Sequence, residues 1–227
     1  MQPLACHEMA ILKARTVTLY LDEEAHDGPM NMAIDEALLR HCTQPVVRFY
    51  QWKAPTLSVG YFQPLAEAGK QDMPIVRRWT GGGMVYHGGD RTFSIAAPRD
   101  TELGILSPEI SYRYIHEGMI RAFGKNGLRL AECEDRLSGA ACFQSPALHD
   151  VLQDAKKIAG GAQRRSRAGV LHQGSIQQIE TSGEFPARFA AEFGEKVIAV
   201  ALPADVLETA HQLVKERYGS PQWLTKF

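Results

Sequence analysis

The sequence predicts a mixed α/β fold in which a single, largely antiparallel sheet is flanked by helices. Two observations lead to this class: strand-like and helix-like segments alternate along the chain, and four strand-like segments in its second half are joined by short polar turns. Strands joined by short turns pair as antiparallel hairpins, whereas parallel pairs need a longer crossover. With 227 residues, 44% of them hydrophobic, the chain is long enough to bury a core.

The first half of the chain supplies a strand, a helix and further short strands. Val17–Leu21 is predicted to be the first strand, and the Gly28-Pro29 break precedes a helix. The apolar face of this helix consists, at helical spacing, of Ile34, Ala37, Leu38 and Cys42. The β-rich segments 46–50 and 57–61 are separated by a turn and are expected to pair with each other. Other short strands are expected at 74–76 and 92–96.

The second half opens with the best-defined helix. Ser107 is a suitable N-cap, Pro108 fits the first helical position, and the helix is expected to stop near Gly127. Its inward side chains are Tyr112, Ile115, Met119 and Phe123. The strand-like segments that follow are 128–131, 147–153, 157–163 and 169–176. Two helices, at about 186–193 and 203–218, end the pattern.

Charge and cysteine usage narrow the function classes. The 25 Lys and Arg residues nearly balance the 26 Asp and Glu residues, so the net charge predicts neither nucleic-acid nor membrane binding. The four cysteines lack C-x-x-C spacing, which favours a reducing, cytoplasmic compartment, and the scattered His and Cys residues predict no metal site. We expect a mobile leader at 1–14 and one continuous domain at 15–227.

A glycine-rich segment at 77–90 is the strongest local signal. It holds five glycines and begins with Arg77 and Arg78. Glycines allow a ligand to approach the backbone, whose N–H groups can hold a carbonyl or phosphate, and an arginine can pair with an anion. Taken alone, a run such as Gly81–Gly83 is more often a tight connection than a site, and a histidine such as His87 is more often structural than catalytic. The spacing fits neither a dinucleotide fingerprint nor a P-loop.

Two further residue types suggest acyl chemistry. Lys156 and Lys157 begin a strand-like segment, so one of them can face a site and either neutralise an acyl oxygen or lower the pKa of a nearby thiol. The alternative is a solvated lysine at the edge of the sheet. Cys142 lies in a loop-like stretch of small residues fifteen positions before Lys157, although most free cysteines are simply small buried hydrophobes.

Several separated segments together resemble the lipoate-protein ligase and octanoyltransferase family, whose fold is related to that of biotin protein ligases. The resemblance covers about residues 28–176. It is carried by the stretches Asn31–Leu38, Arg48–Tyr50, Pro55–Gln63, Arg77–His87, Lys157–Arg164 and Leu171–Ser175. It implies a biotin/lipoate protein ligase catalytic-domain fold with a tunnel for a medium-length acyl chain.

The stretch Cys142–Pro146 is similar to the nucleophile segment of the cysteine-dependent octanoyltransferases, and Thr92-Phe93-Ser94 resembles their strand better than that of the ligases. Only 52 residues (227 minus 175) follow Ser175, fewer than the additional C-terminal domain of the ligases would need. The resemblance therefore implies Cys142 and Lys157 as catalytic residues. The implied substrate-binding residues are Arg77, Arg78, Gly81, Gly82, Gly83, His87, Ser94, Gly160, Gly161, Ala162, Gln163, His172 and Gly174.

The function that follows from this resemblance is octanoyl or lipoyl transfer through a Cys142 thioester, without a cofactor. Octanoyl-acyl carrier protein would be the donor. A lipoyl domain, of a glycine cleavage H protein or a 2-oxoacid dehydrogenase E2, would be the acceptor. Three alternatives stay open: ATP- and Mg²⁺-dependent lipoate ligation through lipoyl-AMP, lipoyl amidotransfer between proteins, and a non-catalytic acyl- or biotin-binding module.

Overall fold

The computed structural model describes residues 13–133 and 146–227. Its strands are β1 (Ala14–Leu21), β2 (Val46–Tyr50), β3 (Thr56–Val59), β4 (Ile75–Arg77), β5 (Val85–His87), β6 (Arg91–Pro98), β7 (Leu128–Leu130), β8 (Val151–Gln153), β9 (Lys156–Arg165), β10 (Gly169–Ile176) and β11 (Gly194–Ala199). Its α-helices are α1 (Gly28–His41), α2 (Glu102–Ile105), α3 (Pro108–Phe123), α4 (Phe185–Ala190), α5 (Ala204–Leu213) and α6 (Pro221–Leu224). A 3₁₀ turn at Leu65–Ala68 and a π turn at Val214–Tyr218 complete these elements.

The larger of the two sheets has eight strands in the order β11-β1-β2-β6-β10-β9-β8-β7. Strand β1 pairs in parallel with β11 and β2, and the remaining neighbours are antiparallel. The predicted class, mixed α/β with a largely antiparallel sheet, is confirmed. The sequence pattern missed β11, in which most side chains are exposed and the alternation of apolar and polar residues is weak.

The expectation of a single sheet is wrong, because β4, β3 and β5 form a second, three-stranded sheet. The predicted pairing of segments 46–50 and 57–61 is wrong for the same reason. Both edges of β2 are already occupied, by β1 and by β6, so β3 pairs instead with β4 and β5. The small sheet carries the glycine-rich connection that follows β4.

Helices cover both faces of the large sheet. On one face α1 and α5 pack over side chains such as Tyr50 and Leu171, and on the other α3 and α4 pack over Phe49 and Phe93. The neighbours Phe49 and Tyr50 belong to opposite faces because side chains alternate along a strand. Within the described parts of the chain, none of the helices has the length and hydropathy that a membrane span requires.

Helix α3 begins as predicted and ends earlier. The Ser107 hydroxyl accepts a hydrogen bond from the Ile110 N–H, and Pro108 occupies the first helical position. The helix ends at Gly124, which adopts a left-handed conformation at φ 60° and donates its N–H to the carbonyls of Ile120 and Arg121. Glycine takes this conformation without strain, so Gly124 and not Gly127 is the stop signal.

Candidate active site

A cavity of about 400 Å³ opens between the small sheet and the strands β9 and β10 of the large sheet. Five of its wall positions are glycines, so that backbone atoms form part of the cavity surface: Gly82, Gly83, Gly160, Gly161 and Gly174. Larger side chains supply the rest of the apolar wall, among them Met32, Tyr50, Trp52, Met84 and Val85. Such a cavity suits a ligand that is largely apolar and carries a polar group.

The glycine-rich connection is held in place by close backbone packing. Gly82 has φ +82°, and a Cβ atom added to Gly60 would lie 1.8 Å from the Gly82 carbonyl oxygen. Arg78 fixes the same loop, because its Nη2 donates to the carbonyl of Gly81 at 3.0 Å and to that of Gly83 at 2.8 Å. The loop is therefore a rigid part of the wall.

A hydrogen-bonded chain of side chains supports this loop from below. Arg78 Nη1 donates to Ser58 Oγ at 2.6 Å, and Ser58 Oγ lies 2.7 Å from His87 Nε2. His87 Nδ1 is 2.7 Å from Asp90 Oδ2, and the His87 ring stacks on Trp52 at 4.1 Å between centroids.

The protonation states of His87 and Asp90 in this hydrogen-bonded series follow from their burial and from their hydrogen bonds. Burial lowers the pKa of His87, and the hydrogen bond to Asp90 offsets this only in part. Burial alone would raise the pKa of Asp90, but hydrogen bonds from His87 and Ser175 outweigh it and the pKa is lowered. A neutral imidazole therefore donates Nδ1–H to an ionised carboxylate and accepts from the Ser58 hydroxyl at Nε2.

Lys157 lies on the opposite wall, where it forms an ion pair with Asp150. Its Nζ is 2.8 Å from Asp150 Oδ2, and the Asp150 side chain is fully buried. Tyr112 donates its hydroxyl to Asp150 Oδ1 at 2.5 Å and accepts a hydrogen bond from the Gly161 N–H at 3.0 Å. Asp150, which the sequence pattern did not single out, is thus part of the candidate site.

A second group of buried polar side chains lies beneath the cavity floor. Asp35 accepts hydrogen bonds from Ser94 Oγ and from Arg48 Nη1, each at 2.7 Å, and from Gln173 Nε2 at 2.7 Å. Gln173 Oε1 accepts in turn from the Thr80 hydroxyl. This network ties α1 to β2, β6 and β10, so the polar face of α1 is buried as well as its apolar face.

Two histidines, His116 of α3 and His172 of β10, are fully buried. Burial lowers the pKa of His116 to about 4 and lowers that of His172 well below its ordinary value. Both are neutral at physiological pH. His116 Nδ1 donates to the His149 carbonyl at 2.6 Å, and the His172 ring underlies Gly161, whose added Cβ would lie 2.3 Å from His172 Nε2.

The structure brings most of the predicted site residues to the cavity. Those in its wall are Arg78, Gly82, Gly83, His87, Lys157, Gly160, Gly161, Ala162 and Gly174. Cys142, the predicted nucleophile, lies outside the described residues. The nearest described residue on its C-terminal side, Pro146, belongs to the cavity wall.

Five predicted substrate-binding residues are not in the wall. Arg77 is fully buried and donates to the carbonyls of Gly60, Tyr61, Gln63 and Leu224. Ser94 and His172 are buried on the protein side of the wall, as described above. Gln163 bonds Ser111 and His172. Gly81 presents its carbonyl to Arg78, so its role is in loop structure.

Several residues of the site were not predicted from the sequence, and four of them are polar side chains with a specific contact. They are Ser58, Tyr112, Asp150 and Gln173. Tyr112 was predicted to face inward from its helical spacing. That spacing predicts the direction of the side chain but not its contact with the Asp150 carboxylate. Ser58 and Gln173 lie within stretches that carry the family resemblance, and this resemblance could have identified them as site residues.

Comparison with known proteins identifies relatives. The family model for the lipoyl protein ligase A/B catalytic domain matches residues 27–185. Octanoyltransferase LipM of Oceanobacillus iheyensis is 36% identical over 171 residues, covering 69% of this chain and 62% of the relative. LipM of Clostridioides difficile is 36% identical over 172 residues, covering 69% and 64%. The chain thus matches less than two thirds of these relatives' length.

Other comparisons extend over more of the chain. LipM of Macrococcus caseolyticus is 31% identical over 214 residues, covering 81% of this chain and 78% of the relative. A lipoate-protein ligase A solved with ATP is 20% identical, with a TM-score of 0.72 over 94% of this chain and 98% of that one. A bi-partite lipoate protein ligase of Thermoplasma acidophilum is 18% identical, with a TM-score of 0.69 over 95% and 98%. The structures agree in fold, and the resemblance inferred from the sequence is confirmed.

Proposed function

The chain belongs to the lipoyl protein ligase A/B catalytic-domain family, and on this premise we propose that it transfers an octanoyl or lipoyl group to a lysine of a lipoyl domain through a thioester on Cys142. The observation that carries the proposal is the apolar cavity with Lys157 in its wall. Relatives named octanoyltransferase, 30–36% identical, support transfer over ligation.

The cavity supports the acyl part of the reaction. Its walls of glycine, methionine and aromatic residues exclude water from a chain of methylene groups, and each buried methylene contributes about 0.8 kcal/mol to binding. Pro146 in the wall follows Cys142 by four positions, and four residues of extended chain span at most about 14 Å. We propose that the Cys142 thiol lies at the cavity, which this length of chain permits.

The proposed chemistry consists of two acyl transfers. The Cys142 thiolate attacks the carbonyl carbon of octanoyl-acyl carrier protein, and the carrier thiolate leaves and takes up a proton. The amine of the acceptor lysine then attacks the new thioester, the amide bond forms, the amine loses its proton, and the Cys142 thiolate leaves. One thioester replaces another in the first step and the amide is the more stable product, so no ATP or other cofactor is required.

Lys157 is assigned a hydrogen-bonding role in this scheme. Because Asp150 balances its charge, Lys157 acts mainly by donating N–H groups to the developing oxyanion, together with backbone N–H groups of the glycine segments. One such donor contributes about 3 kcal/mol to stabilising a transition state.

The test is the intact mass of the protein after incubation with octanoyl-acyl carrier protein in the absence of ATP. We expect an octanoyl adduct on the wild type that hydroxylamine removes, and none on Cys142→Ala, because the thioester forms on that sulfur. Cys42→Ala is the matched control and should form the adduct, since burial raises the pKa of the Cys42 thiol to about 12 and keeps it unreactive.

Two outcomes would contradict the proposal. Full transfer activity in Cys142→Ala would exclude the covalent route. Pyrophosphate release on adding lipoate and ATP, without an adduct from the carrier protein, would indicate ligation. The acceptor is tested with a lipoyl domain, whose modified lysine is identified by peptide mass.

A further inference from the structure

The ion pair between Asp150 and Lys157 contains a residue to which no role has been assigned. We propose that Asp150 is a positioning residue that holds the Lys157 ammonium against the cavity wall. The catalytic consequence of this inference rests on the function proposed above, whereas the positioning itself can be tested without any substrate.

The space that the pair occupies is provided by a glycine. A Cβ atom added to Gly160 would lie 2.5 Å from Lys157 Cε, 2.8 Å from Lys157 Nζ and 2.8 Å from Asp150 Oδ1. The lysine side chain therefore runs along its own strand and lies against the backbone of Gly160. Only 10% of the Lys157 side chain is exposed, in contrast to the exposed Lys156 beside it.

The carboxylate of Asp150 is itself fixed from several sides. Oδ1 accepts the Tyr112 hydroxyl, and Oδ2 accepts the Ala147 N–H at 2.7 Å as well as the Lys157 ammonium. The Ala147 carbonyl in turn accepts the Asp150 N–H at 3.0 Å. The Asp150 carboxylate is thus held by contacts with its own backbone turn and with Tyr112. Its position is therefore set independently of Lys157, and the ion pair places the lysine ammonium.

The residue before Asp150 has an unusual backbone conformation. His149 has φ +69°, an unusual conformation for a residue with a Cβ atom. It is held there by two hydrogen bonds, from its N–H to the Ala131 carbonyl at 2.8 Å and from His116 Nδ1 to its own carbonyl at 2.6 Å. Strain of this kind persists where the surrounding structure imposes it, and such positions cluster at functional sites.

A lysine side chain needs such an anchor. Its four rotatable bonds give it many conformations, and a donor that must meet a developing oxyanion contributes fully only when its position is set in advance. Asp150 supplies this constraint through one short ion pair and leaves the remaining ammonium hydrogens to other acceptors. Without the Asp150 carboxylate, the Lys157 ammonium would no longer be held against the cavity wall.

The substrate-free test compares the labelling of two adjacent lysines. Acetylation by an N-hydroxysuccinimide ester, localised by peptide fragmentation, should modify Lys156 faster than Lys157 in the wild type. In Asp150→Asn, which keeps the shape and an acceptor oxygen, we expect the ratio of Lys157 to Lys156 labelling to rise at least threefold. Asp154→Asn is the matched control, because Asp154 is exposed on the same hairpin, and its ratio should not change.

The catalytic test uses a double-variant cycle. We expect Asp150→Asn to lower kcat at least tenfold with KM within twofold, and the double variant Asp150→Asn/Lys157→Ala to be no more than threefold slower than Lys157→Ala alone. This non-additivity is the signature of a residue that acts through another. Tyr112→Phe, which releases Asp150 Oδ1, should change labelling and kcat in the same direction and replaces Asp150→Asn if that variant does not fold.

The inference is overturned by an unchanged labelling ratio in folded Asp150→Asn, or by losses of kcat that are fully additive in the cycle. Absence of wild-type turnover together with a raised labelling ratio would instead contradict the proposed function and leave the positioning role supported.

Discussion

At the scale of single residues, the neighbours Arg77 and Arg78 have the same chemistry and different surroundings. Both were predicted to bind substrate, and only Arg78 reaches the cavity wall. Arg77 ends β4 and faces the C-terminal part of the chain, where it donates to the Leu224 carbonyl. Two side chains that follow each other in an extended backbone point to opposite sides, so one arginine serves the site and the other the fold.

Replacing each arginine by lysine separates the two roles. Lysine keeps the charge but lacks the planar fork that reaches several carbonyls at once. We expect Arg77→Lys to lower the free energy of unfolding by about 2 kcal/mol, the cost of leaving buried carbonyls without donors. Its transfer rate should stay within threefold of the wild type. Arg78→Lys should lower the transfer rate at least tenfold, because the Gly81–Gly83 loop loses its clamp.

Urea unfolding and steady-state rates measured on the same preparations provide the comparison. Equal stability losses with equal rate losses in the two variants would show that the arginines do not have separate roles.

Asp150 shows why residue-scale prediction from the sequence was incomplete. It stands seven positions before Lys157, and the two side chains meet only through the hairpin of β8 and β9. The register of this hairpin shifts between Val151 and Leu152. A single-residue shift moves side chains to the other face of a sheet. The sequence shows the two residues but not the irregularity that brings them together.

At the scale of elements, local signals predicted the start of helix α3 correctly, whereas the strand that pairs with β3 was predicted incorrectly. Helix α3 was predicted from its own cap, its proline and its apolar spacing, which all lie within the helix. The partner of β3 depends on which edges are already occupied elsewhere in the chain, and no local pattern contains that information. The glycine-rich loop was recognised by composition, whereas its contact with Gly60 arises from the second sheet.

That contact gives an element-scale prediction. A Cβ atom at Gly60 would lie 1.8 Å from the Gly82 carbonyl oxygen and 2.8 Å from its carbonyl carbon. Backbone cannot move aside as a side chain can, so Gly60→Ala should displace the 81–83 loop and lower both stability and acyl transfer, the latter at least tenfold. Gly183→Ala, in the turn before α4, serves as the control, because an added Cβ there meets none of the described atoms within 4 Å and Gly183 has no left-handed φ.

Octanoyl adduct formation and thermal unfolding would be measured for both variants. The packing argument fails if Gly60→Ala forms the adduct at the wild-type rate.

At the scale of the whole molecule, the large sheet separates an aromatic core on one face from a core that includes buried polar networks on the other. Arg48 bonds Asp22 and Asp35 with all three side chains almost fully buried. Buried charges are tolerated when they are paired and hydrogen-bonded, and each partner becomes costly if the other is lost. The sequence pattern predicted the apolar cores from periodicity, but the polar pairs carry no periodic signal.

The buried histidines make the stability of the whole chain depend on pH. Burial lowers the pKa of His116 from 6.5 to about 4, and the pKa of His172 is lowered for the same reason. Between these values the unfolded chain binds a proton that the folded chain does not, so acid favours unfolding. Stability should therefore be nearly constant above about pH 7 and fall as the pH drops from 6.5 towards 4. His116 alone accounts for a loss of about 2 kcal/mol at pH 5.

Urea unfolding at pH 7.5 and pH 5 measures this loss directly. His116→Asn removes the titrating group, and its amide can still donate to the His149 carbonyl that His116 Nδ1 contacts. We expect the variant to lose about 2 kcal/mol less than the wild type between the two pH values, because its contribution no longer changes with protonation. His211→Asn replaces an exposed histidine on α5 and should leave the pH dependence unchanged. If the two variants show the same pH dependence, the buried imidazole at His116 is not the source of the acid sensitivity.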